Sequence, residues 1–336
     1  KNIVKKDAGR FWDLCNNATI FEAASISKSV FAAFVMTFVD EGRLNLDRPL
    51  HEYLPYVDIE HDERYRNITA RMVLSHRSGF PNWRTDYSDH QLFLAFEPGS
   101  DFLYSGEGYQ YLAMVLKELE GATWEGLDAT FRARVTEPLG MTRTVFMLDA
   151  VTEKDKAEPY GRDGSWTNPE HDPNRALRFQ FRAAASLHTE ALDFSRWMIA
   201  LANREGLSEA AFSEMFAPHS LVGHTSRIPV HYTLGFYHPK VRGTKLFFHG
   251  GNNGDFSSFF ALDVNRGWGF ALFTNSAFGE DLGNELLFHL VGGPRLGQVV
   301  VLLAVVLGIV LVLLGWLGIR FARGLRQHLP APLREV

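Results

Sequence analysis

Cysteine and the residue spacings typical of metal sites are nearly absent from this chain. Cys15 is the single cysteine among 336 residues, so no internal disulfide can form. The 13 histidines show neither a His-Glu-x-x-His spacing nor a Cys/His ligand pattern, and the sequence predicts no metal and no cofactor. A surplus of positive charge is also lacking, because a net charge of −5 and a pI near 6.2 give no footprint for nucleic acid. With 46% hydrophobic residues, the chain is expected to fold around a large core.

No charged residue occurs between Val299 and Ile319. As a helix, these 21 residues extend about 31 Å, which is enough to cross a lipid bilayer. A buried core helix is the alternative, but a core helix rarely carries apolar residues on every face without a polar stripe. The sequence therefore predicts that residues 299–319 anchor the chain in a lipid bilayer.

Arginines are distributed unequally around this predicted span. Arg320, Arg323 and Arg326 follow it directly, whereas Arg295 alone stands just before it. Because positively charged flanks stay on the cytoplasmic side, the C-terminal tail is expected in the cytoplasm and the rest of the chain outside, in an extracytoplasmic or periplasmic location.

The resulting domain organisation has three parts. Residues 1–295 are predicted to form the catalytic domain, residues 296–320 a transmembrane helix, and residues 321–336 a cytoplasmic tail. This orientation requires an export signal, yet the chain begins at Lys1 with a polar, charged stretch and no apolar signal-peptide core. We therefore expect the N-terminus to be trimmed.

Ser25 and Lys28 lie three residues apart at the start of an apolar stretch. Residues at this spacing share one face of a helix, so the Lys28 amine can reach the Ser25 hydroxyl. The N–H groups and positive dipole of a helix N-terminus favour the oxyanion of acyl transfer. Apolar residues at 3.6-residue spacing predict the helix, which ends at Gly42: Val30, Phe31, Phe34, Val35, Phe38 and Val39. About one Ser-x-x-Lys spacing is expected by chance in a chain this long, so the interpretation depends on other motifs.

Two further motifs supply groups that an activated serine needs. Tyr104-Ser105-Gly106 follows a Pro-Gly pair, and His249-Gly250-Gly251 follows an apolar run that is predicted to be a strand. A tyrosine can act as a base, and a glycine-rich strand edge can form an oxyanion hole. Alternatively, Tyr104 is a packing tyrosine, because its pKa near 10 must be lowered for catalysis, with a Lys28 ammonium as the obvious cause. His249 is alternatively a core histidine, and the two glycines a bulge.

With these motifs, the chain resembles the serine β-lactamase-like family, which includes class C β-lactamases, D-alanyl-D-alanine carboxypeptidases, esterases and D-aminopeptidases. The resemblance covers about residues 20–290, and its matching segments follow in order: residues 21–29, 41–47, 68–79, 138–141 and 185–189. It implies an α/β (α+β) fold in which an antiparallel sheet is flanked by helices, with a helical lobe inserted at about 43–176. The site is then expected in the cleft between sheet and lobe.

Apolar runs and turn residues locate the predicted elements. Strands are predicted at residues 245–249, 256–263 and 268–275, helices at 109–119 and 124–135, and a long loop at 158–178.

The resemblance also implies a role for each motif residue. Ser25 is implied as the acylated nucleophile, with Lys28 and Tyr104 sharing its activation and Tyr104 activating water for deacylation. Which of these two is the general base stays open. The resemblance further implies that the backbone N–H groups of Ser25 and Asn252 form the oxyanion hole. His249, Gly250 and Gly251 are implied to line the substrate site.

Gly106 departs from the family pattern, which usually places asparagine two residues after the tyrosine to contact a substrate amide. Glycine has no side chain for that contact, so esters are expected to be better substrates than β-lactams or peptides. The sequence thus predicts a membrane-anchored serine hydrolase that forms an acyl-enzyme with a small ester, amide or D-amino-acid peptide. The alternatives are a true β-lactamase or D-Ala-D-Ala carboxypeptidase, and a catalytically inactive module that binds cell-wall peptides. Retention of Ser25, Lys28 and Tyr104 argues against the inactive module.

Overall fold

The computed structural model describes residues 3–4, 13–161, 163–167, 175–225, 228–291 and 306. The chain divides into two compact units, residues 1–283 and 284–336. In the second unit, the described residues 284–291 and 306 are helical. The predicted membrane span at 299–319 lies, apart from Val306, outside the described residues. Within the described ranges, no helix is long and apolar enough to cross a membrane.

A six-stranded antiparallel sheet forms the centre of the first unit. Its strands are β5 (Ser220–Thr225), β6 (Ile228–Tyr232), β7 (Tyr237–Pro239), β8 (Leu246–Asn252), β9 (Ser257–Asp263) and β10 (Trp268–Thr274), in the order β10-β9-β8-β7-β6-β5. Each strand pairs with its neighbour in sequence, because short turns join antiparallel strands without a crossover. The three strands predicted from apolar runs are confirmed as β8, β9 and β10, with their ends shifted by at most three residues.

Four short strands form two smaller antiparallel pairs. They are β1 (Ile3–Val4) with β2 (Asp13–Leu14), and β3 (Phe21–Glu22) with β4 (His188–Thr189). The second pair matters for the site, because β3 leads directly into the turn that carries Ser25.

Helix α1 (Ser27–Asp40) is the central helix of the core. Its side chains are buried on all faces, from Ser27 through Phe38 with the exception of the half-buried Thr37, as expected for a helix that is apolar all round. The chain leaves the helix through Gly42, whose φ of +69° lies in the left-handed region that glycine adopts most readily. The predicted apolar helix and its glycine stop are therefore confirmed.

Six further helices surround α1 and the sheet. They are α2 (Ala70–Leu74), α3 (Gly106–Glu120), α4 (Trp124–Phe131), α5 (Ala150–Lys154), α6 (Ala191–Asn203) and α7 (Glu209–Phe216), and residues 279–291 are also helical. The helices predicted at 109–119 and 124–135 correspond to α3 and to α4, which continues as a π-helical turn at Arg132–Thr136. Ser105 caps α3, because its hydroxyl accepts a hydrogen bond from the Gly108 N–H at 2.9 Å. Tyr104 therefore stands immediately before a helix N-terminus.

Candidate active site

Ser25 lies in a tight 3₁₀ turn, Ala24–Ile26, that directly precedes α1. Ala24 has a φ of +47°, a left-handed conformation that is unfavourable for a residue with a Cβ. The turn is held from both sides: the Ser27 hydroxyl donates to Ala24 O at 2.5 Å and accepts from the Leu187 N–H at 3.0 Å. Backbone strain of this kind persists only where surrounding contacts hold the strained conformation in place, as they do at many functional sites.

Lys28 contacts Ser25, as the three-residue spacing predicts. Its Nζ lies 3.2 Å from Ser25 Oγ and 3.0 Å from Ala184 O. The side chain is 1% exposed, and burial, followed by the positive charge of Arg182, holds the pKa of Lys28 well below its usual value. Both effects favour the neutral amine, which can accept a proton from Ser25.

Tyr104 lies next to both Lys28 and Ser25. Its ring centroid is 4.4 Å from Lys28 Nζ. Burial raises the pKa of Tyr104 well above its usual value, although a hydrogen bond to Ser25 lowers it in part. The expectation that a Lys28 ammonium lowers the pKa of this tyrosine is therefore wrong in direction. Because burial penalises both charged forms, Tyr104 keeps its proton and Lys28 is better suited to be the base.

His249 stands beside these groups on β8 and is 1% exposed. Its Nδ1 lies 2.5 Å from Gly250 O, and its Nε2 lies 3.0 Å from the Tyr232 hydroxyl. Since a carbonyl can only accept, Nδ1 carries the proton and Nε2 accepts from the tyrosine. Burial, followed by Lys28, lowers the pKa of His249 to about 3, so the ring is neutral. We call the three predicted catalytic residues, Ser25, Lys28 and Tyr104, together with the predicted substrate-binding residue His249, the catalytic floor.

His76 supports Tyr104. Its Nδ1 accepts a hydrogen bond from the Ser105 N–H at 3.0 Å, and its ring centroid lies 4.3 Å from that of Tyr104. The fully buried ring thereby holds both the tyrosine and the beginning of α3.

Gly251 brings strand β8 close to the backbone of Ser25. A Cβ at this position would lie 2.6 Å from Ala23 O and 2.8 Å from the Ser25 nitrogen, so glycine permits the close approach. The next residue is Asn252. One residue further along, the Asn253 N–H donates to Phe256 O at 2.9 Å. Because hydrogen-bonded pairs alternate along an antiparallel ladder, the Asn252 N–H points away from β9. The oxyanion role of the Ser25 and Asn252 N–H groups stays a prediction that this geometry permits.

Gly250 and Gly106, both predicted to lie at the substrate site, are each covered by a residue that sequence analysis did not single out. The Glu280 carboxylate occupies the space where a Gly250 side chain would lie, and burial raises the pKa of Glu280. A Cβ at Gly106 would lie 2.6 Å from Cη2 of Trp83, so the indole fills the space of the missing asparagine. The position of Trp83 four residues after the matched 68–79 segment is the one sequence signal that could have identified it.

A cleft of about 530 Å³ extends from Ala185 and Asn252, next to the catalytic floor. Its wall contains Glu22, which is buried and lies 2.9 Å from Lys156 Nζ and 2.6 Å from Arg178 Nε. Burial alone would raise the pKa of Glu22, but Lys156, His188, Arg178 and a hydrogen bond from Asn253 lower it to about 2. This carboxylate is therefore fully charged and fully paired.

Arg182 also lines the cleft, and its guanidinium carbon lies 4.5 Å from the centroid of the Trp83 ring. Sequence analysis did not single it out, although it directly precedes the matched segment around Ala185. We call Glu22, Arg178, Arg182 and Trp83 the cleft wall. Across the described residues, no group of three or more histidine, cysteine or acidic side chains is arranged to hold a metal ion.

Comparison with known proteins gives a consistent family. The beta-lactamase family model matches residues 5–290 of this chain. Among curated relatives, the unguisins hydrolase ungD' of Aspergillus campestris is 24% identical over 302 residues, which cover 81% of this chain and 56% of that protein. The chain thus spans about half the length of the curated relatives it matches.

Solved structures show the same fold. The octameric penicillin-binding protein homologue from Pyrococcus abyssi has a TM-score of 0.68 at 23% identity, covering 82% of this chain and 66% of that one. The D-amino acid amidase from Ochrobactrum anthropi, complexed with L-phenylalanine amide, has a TM-score of 0.68 at 20% identity, covering 84% and 86%. These likenesses confirm the predicted mixed α/β architecture with an antiparallel sheet and flanking helices.

Proposed function

The chain belongs to the beta-lactamase family of serine hydrolases, and from that premise we propose that it is a membrane-anchored hydrolase that acts outside the cytoplasm. Its substrate is a small ester, amide or D-amino-acid peptide, which it cleaves through an acyl-enzyme on Ser25. The observation that carries the chemistry is the 3.2 Å contact between Ser25 Oγ and a buried Lys28 amine whose pKa is held low.

In the proposed reaction, Ser25 Oγ attacks the acyl carbon while Lys28 Nζ takes the hydroxyl proton. The N–H groups of Ser25 and Asn252 stabilise the oxyanion. When the intermediate collapses, the bond to the leaving group breaks and that group receives a proton, which Tyr104 is positioned to pass on from Lys28. Water then attacks the acyl-enzyme by the same route in reverse, and Ser25 regains its proton.

The contact between Trp83 and Gly106 favours the proposal that esters are better substrates than β-lactams. The indole of Trp83 covers the position where relatives with an asparagine would present a side-chain amide. A substrate amide therefore finds an aromatic surface there instead of a hydrogen-bonding partner, which disfavours the β-lactamase and carboxypeptidase alternatives. The inactive binding module is disfavoured by the intact Ser25, Lys28 and Tyr104 contacts.

Covalent labelling tests the proposed chemistry. A fluorophosphonate should modify the protein once, at Ser25, because an activated serine attacks it and ordinary serines do not. Ser25→Ala should abolish the adduct and Lys28→Met should nearly do so, while Lys154→Met, at an exposed lysine, serves as the control. Intact-mass spectra that show no adduct on the folded protein, or an adduct that survives Ser25→Ala, would contradict the proposal.

The proposed anchoring rests on the uncharged stretch 299–319 and the arginines that follow it. Protease added to intact cells should digest the catalytic domain and spare a tag placed after Val336. Protection of both ends, or release of the protein by a carbonate wash, would rule out this orientation.

A further inference from the structure

Arg182 carries a positive charge into the cleft, and within the described ranges no carboxylate forms an ion pair with it. The backbone N–H of Arg182 donates to Ser186 Oγ at 2.9 Å, but its guanidinium makes no hydrogen bond to any described residue. The partial burial of this cation costs free energy, and an anionic partner would offset that cost. A missing partner in a substrate cleft suggests that the substrate supplies it.

The neighbouring acidic residues are already engaged. Glu107, the acidic group that acts on Arg182 electrostatically, accepts hydrogen bonds from the backbone N–H of Arg84 at 2.9 Å and from its guanidinium at 2.9 and 3.1 Å. Glu22 is matched by Lys156 and Arg178. Asp255, the second acid of the cleft lining besides Glu22, does not act on the pKa of Arg182.

The guanidinium is also held in place. It lies 4.5 Å from the ring centroid of Trp83, and Trp83 itself packs onto the Gly106 backbone at the start of α3. Stacking on an aromatic face orients the planar guanidinium while leaving its edge N–H groups available. An oriented fork of N–H donors matches the two oxygens of a carboxylate.

Arg182 also lies close in sequence to a residue that contacts the Lys28 amine. Arg182 lies two residues before Ala184, whose carbonyl accepts from Lys28, and its charge is felt at the Lys28 amine. Ala185 and Ser186, which follow, line the same cleft. An acyl chain that extends from Ser25 into the cleft would run along a lining that contains Ala185, Ser186 and Arg182.

We propose that Arg182, stacked on Trp83, binds a carboxylate of the substrate, so that the enzyme prefers acyl groups that carry a negative charge at a distance from the scissile bond. This inference rests on the proposed hydrolase function and names the substrate class for the same site. Neutral acyl groups leave the guanidinium without a partner, and positively charged acyl groups are repelled by it.

Matched esters test the proposal in the full chain. Mono-p-nitrophenyl esters of adipic, suberic and sebacic acid are compared with p-nitrophenyl hexanoate, octanoate and decanoate, which have equal chain lengths and the same leaving group. The wild-type enzyme should prefer the carboxylate member of at least one pair. Arg182→Gln should reduce that preference by about 10- to 100-fold, the effect expected for a charge-assisted hydrogen bond, and Arg182→Lys should retain part of it.

The ratio within each pair is the readout, because loss of the Arg182 charge also changes the pKa of Lys28 and hence the turnover of every ester. Arg66→Gln, at an exposed arginine that pairs with Glu63, is the matched control and should leave the ratios unchanged. p-Nitrophenyl ε-aminocaproate carries a positive charge in place of the carboxylate. The wild-type enzyme should hydrolyse it more slowly than the neutral hexanoate ester, and Arg182→Gln should reduce that difference.

The outcomes separate the two proposals. Hydrolysis of the esters with ratios that Arg182→Gln leaves unchanged would overturn the carboxylate site and leave the hydrolase function standing. If no ester is hydrolysed, esters are excluded as substrates of the proposed hydrolase. The comparison is then the rate at which a fluorophosphonate labels Ser25 in the presence of adipamic acid or of hexanamide. Stronger protection by the acid, lost in Arg182→Gln, supports the carboxylate site, and equal protection or no labelling overturns it.

Discussion

At the catalytic floor, burial favours the uncharged forms of Lys28, His249 and Tyr104, whereas the adjoining cleft wall carries full charges on Glu22 and Arg182. The floor is assembled from hydrogen bonds and aromatic packing, including the 3.0 Å contact between His249 and Tyr232. The wall instead contains ion pairs and an oriented guanidinium. Proton transfer requires a base that is neutral before reaction, and recognition of a charged substrate requires a charge that persists. The difference predicts that floor variants affect all substrates alike and wall variants change preference or stability.

The largest effect is expected at the floor. Tyr104→Phe keeps the ring that packs over Lys28 but removes the hydroxyl, and should lower kcat/KM by about 10²- to 10⁴-fold for neutral and carboxylate esters equally. Steady-state kinetics on the matched esters measures this, with Tyr87→Phe, at an exposed tyrosine, as the control. A loss confined to one ester class would place Tyr104 in recognition instead of proton transfer.

An intermediate effect is expected for the buried carboxylate of the wall. Because the folded pKa of Glu22 is about 2 and its ordinary value is 4.5, the ionised group stabilises the fold above about pH 4.5, and this stabilisation is lost as the pH falls towards 2. Glu22→Gln should therefore lower the free energy of unfolding at neutral pH by about 3 kcal/mol and flatten its decline in acid.

Denaturant unfolding as a function of pH measures this change. Glu52→Gln is the control, because Glu52 and its partner Arg48 form an exposed ion pair that contributes little. Equal destabilisation by both variants, or an unchanged acid profile in Glu22→Gln, would show that the wall does not depend on this buried charge.

The smallest effect links the two regions. If neutral Lys28 is the base, kcat/KM should rise with pH through a pKa that is well below the usual 10.5 of lysine. The Arg182 charge disfavours the Lys28 ammonium, so Arg182→Gln should raise the pKa of Lys28 and move this limb to higher pH. Burial, the larger cause, remains, and the shift should be modest. The measurement is the pH dependence of kcat/KM for wild type, Arg182→Gln and the Arg66→Gln control. A shift of the Arg182→Gln limb to lower pH would exclude Lys28 as the base.

Local patterns predicted much of this molecule. The 3.6-residue apolar repeat and Gly42 located α1, and apolar runs between turn residues located β8, β9 and β10. The Ser25 and Lys28 contact was predictable for the same reason, since residues three apart are brought together by helical geometry alone.

The remaining parts of the site depend on long-range packing. Trp83 contacts Gly106 and Arg182, which are so far from it in sequence that no periodic pattern predicts the contacts. Glu280, near the end of the first unit, likewise covers Gly250. The pKa of Tyr104 could not be read from its motif either, because burial by the surrounding elements raises it, whereas the motif suggested that a neighbouring lysine lowers it.

By itself, the sequence determined the family, the apolar core helix and the central strands, and it made Ser25, Lys28 and Tyr104 the candidate site residues, because each depends on residue type and short-range spacing. The tertiary structure decided which of these groups are neutral, what covers Gly106 and Gly250, and where Arg182 presents its charge. Burial and electrostatic environment are sums over residues that are distant in sequence, so they exist only once the chain has folded.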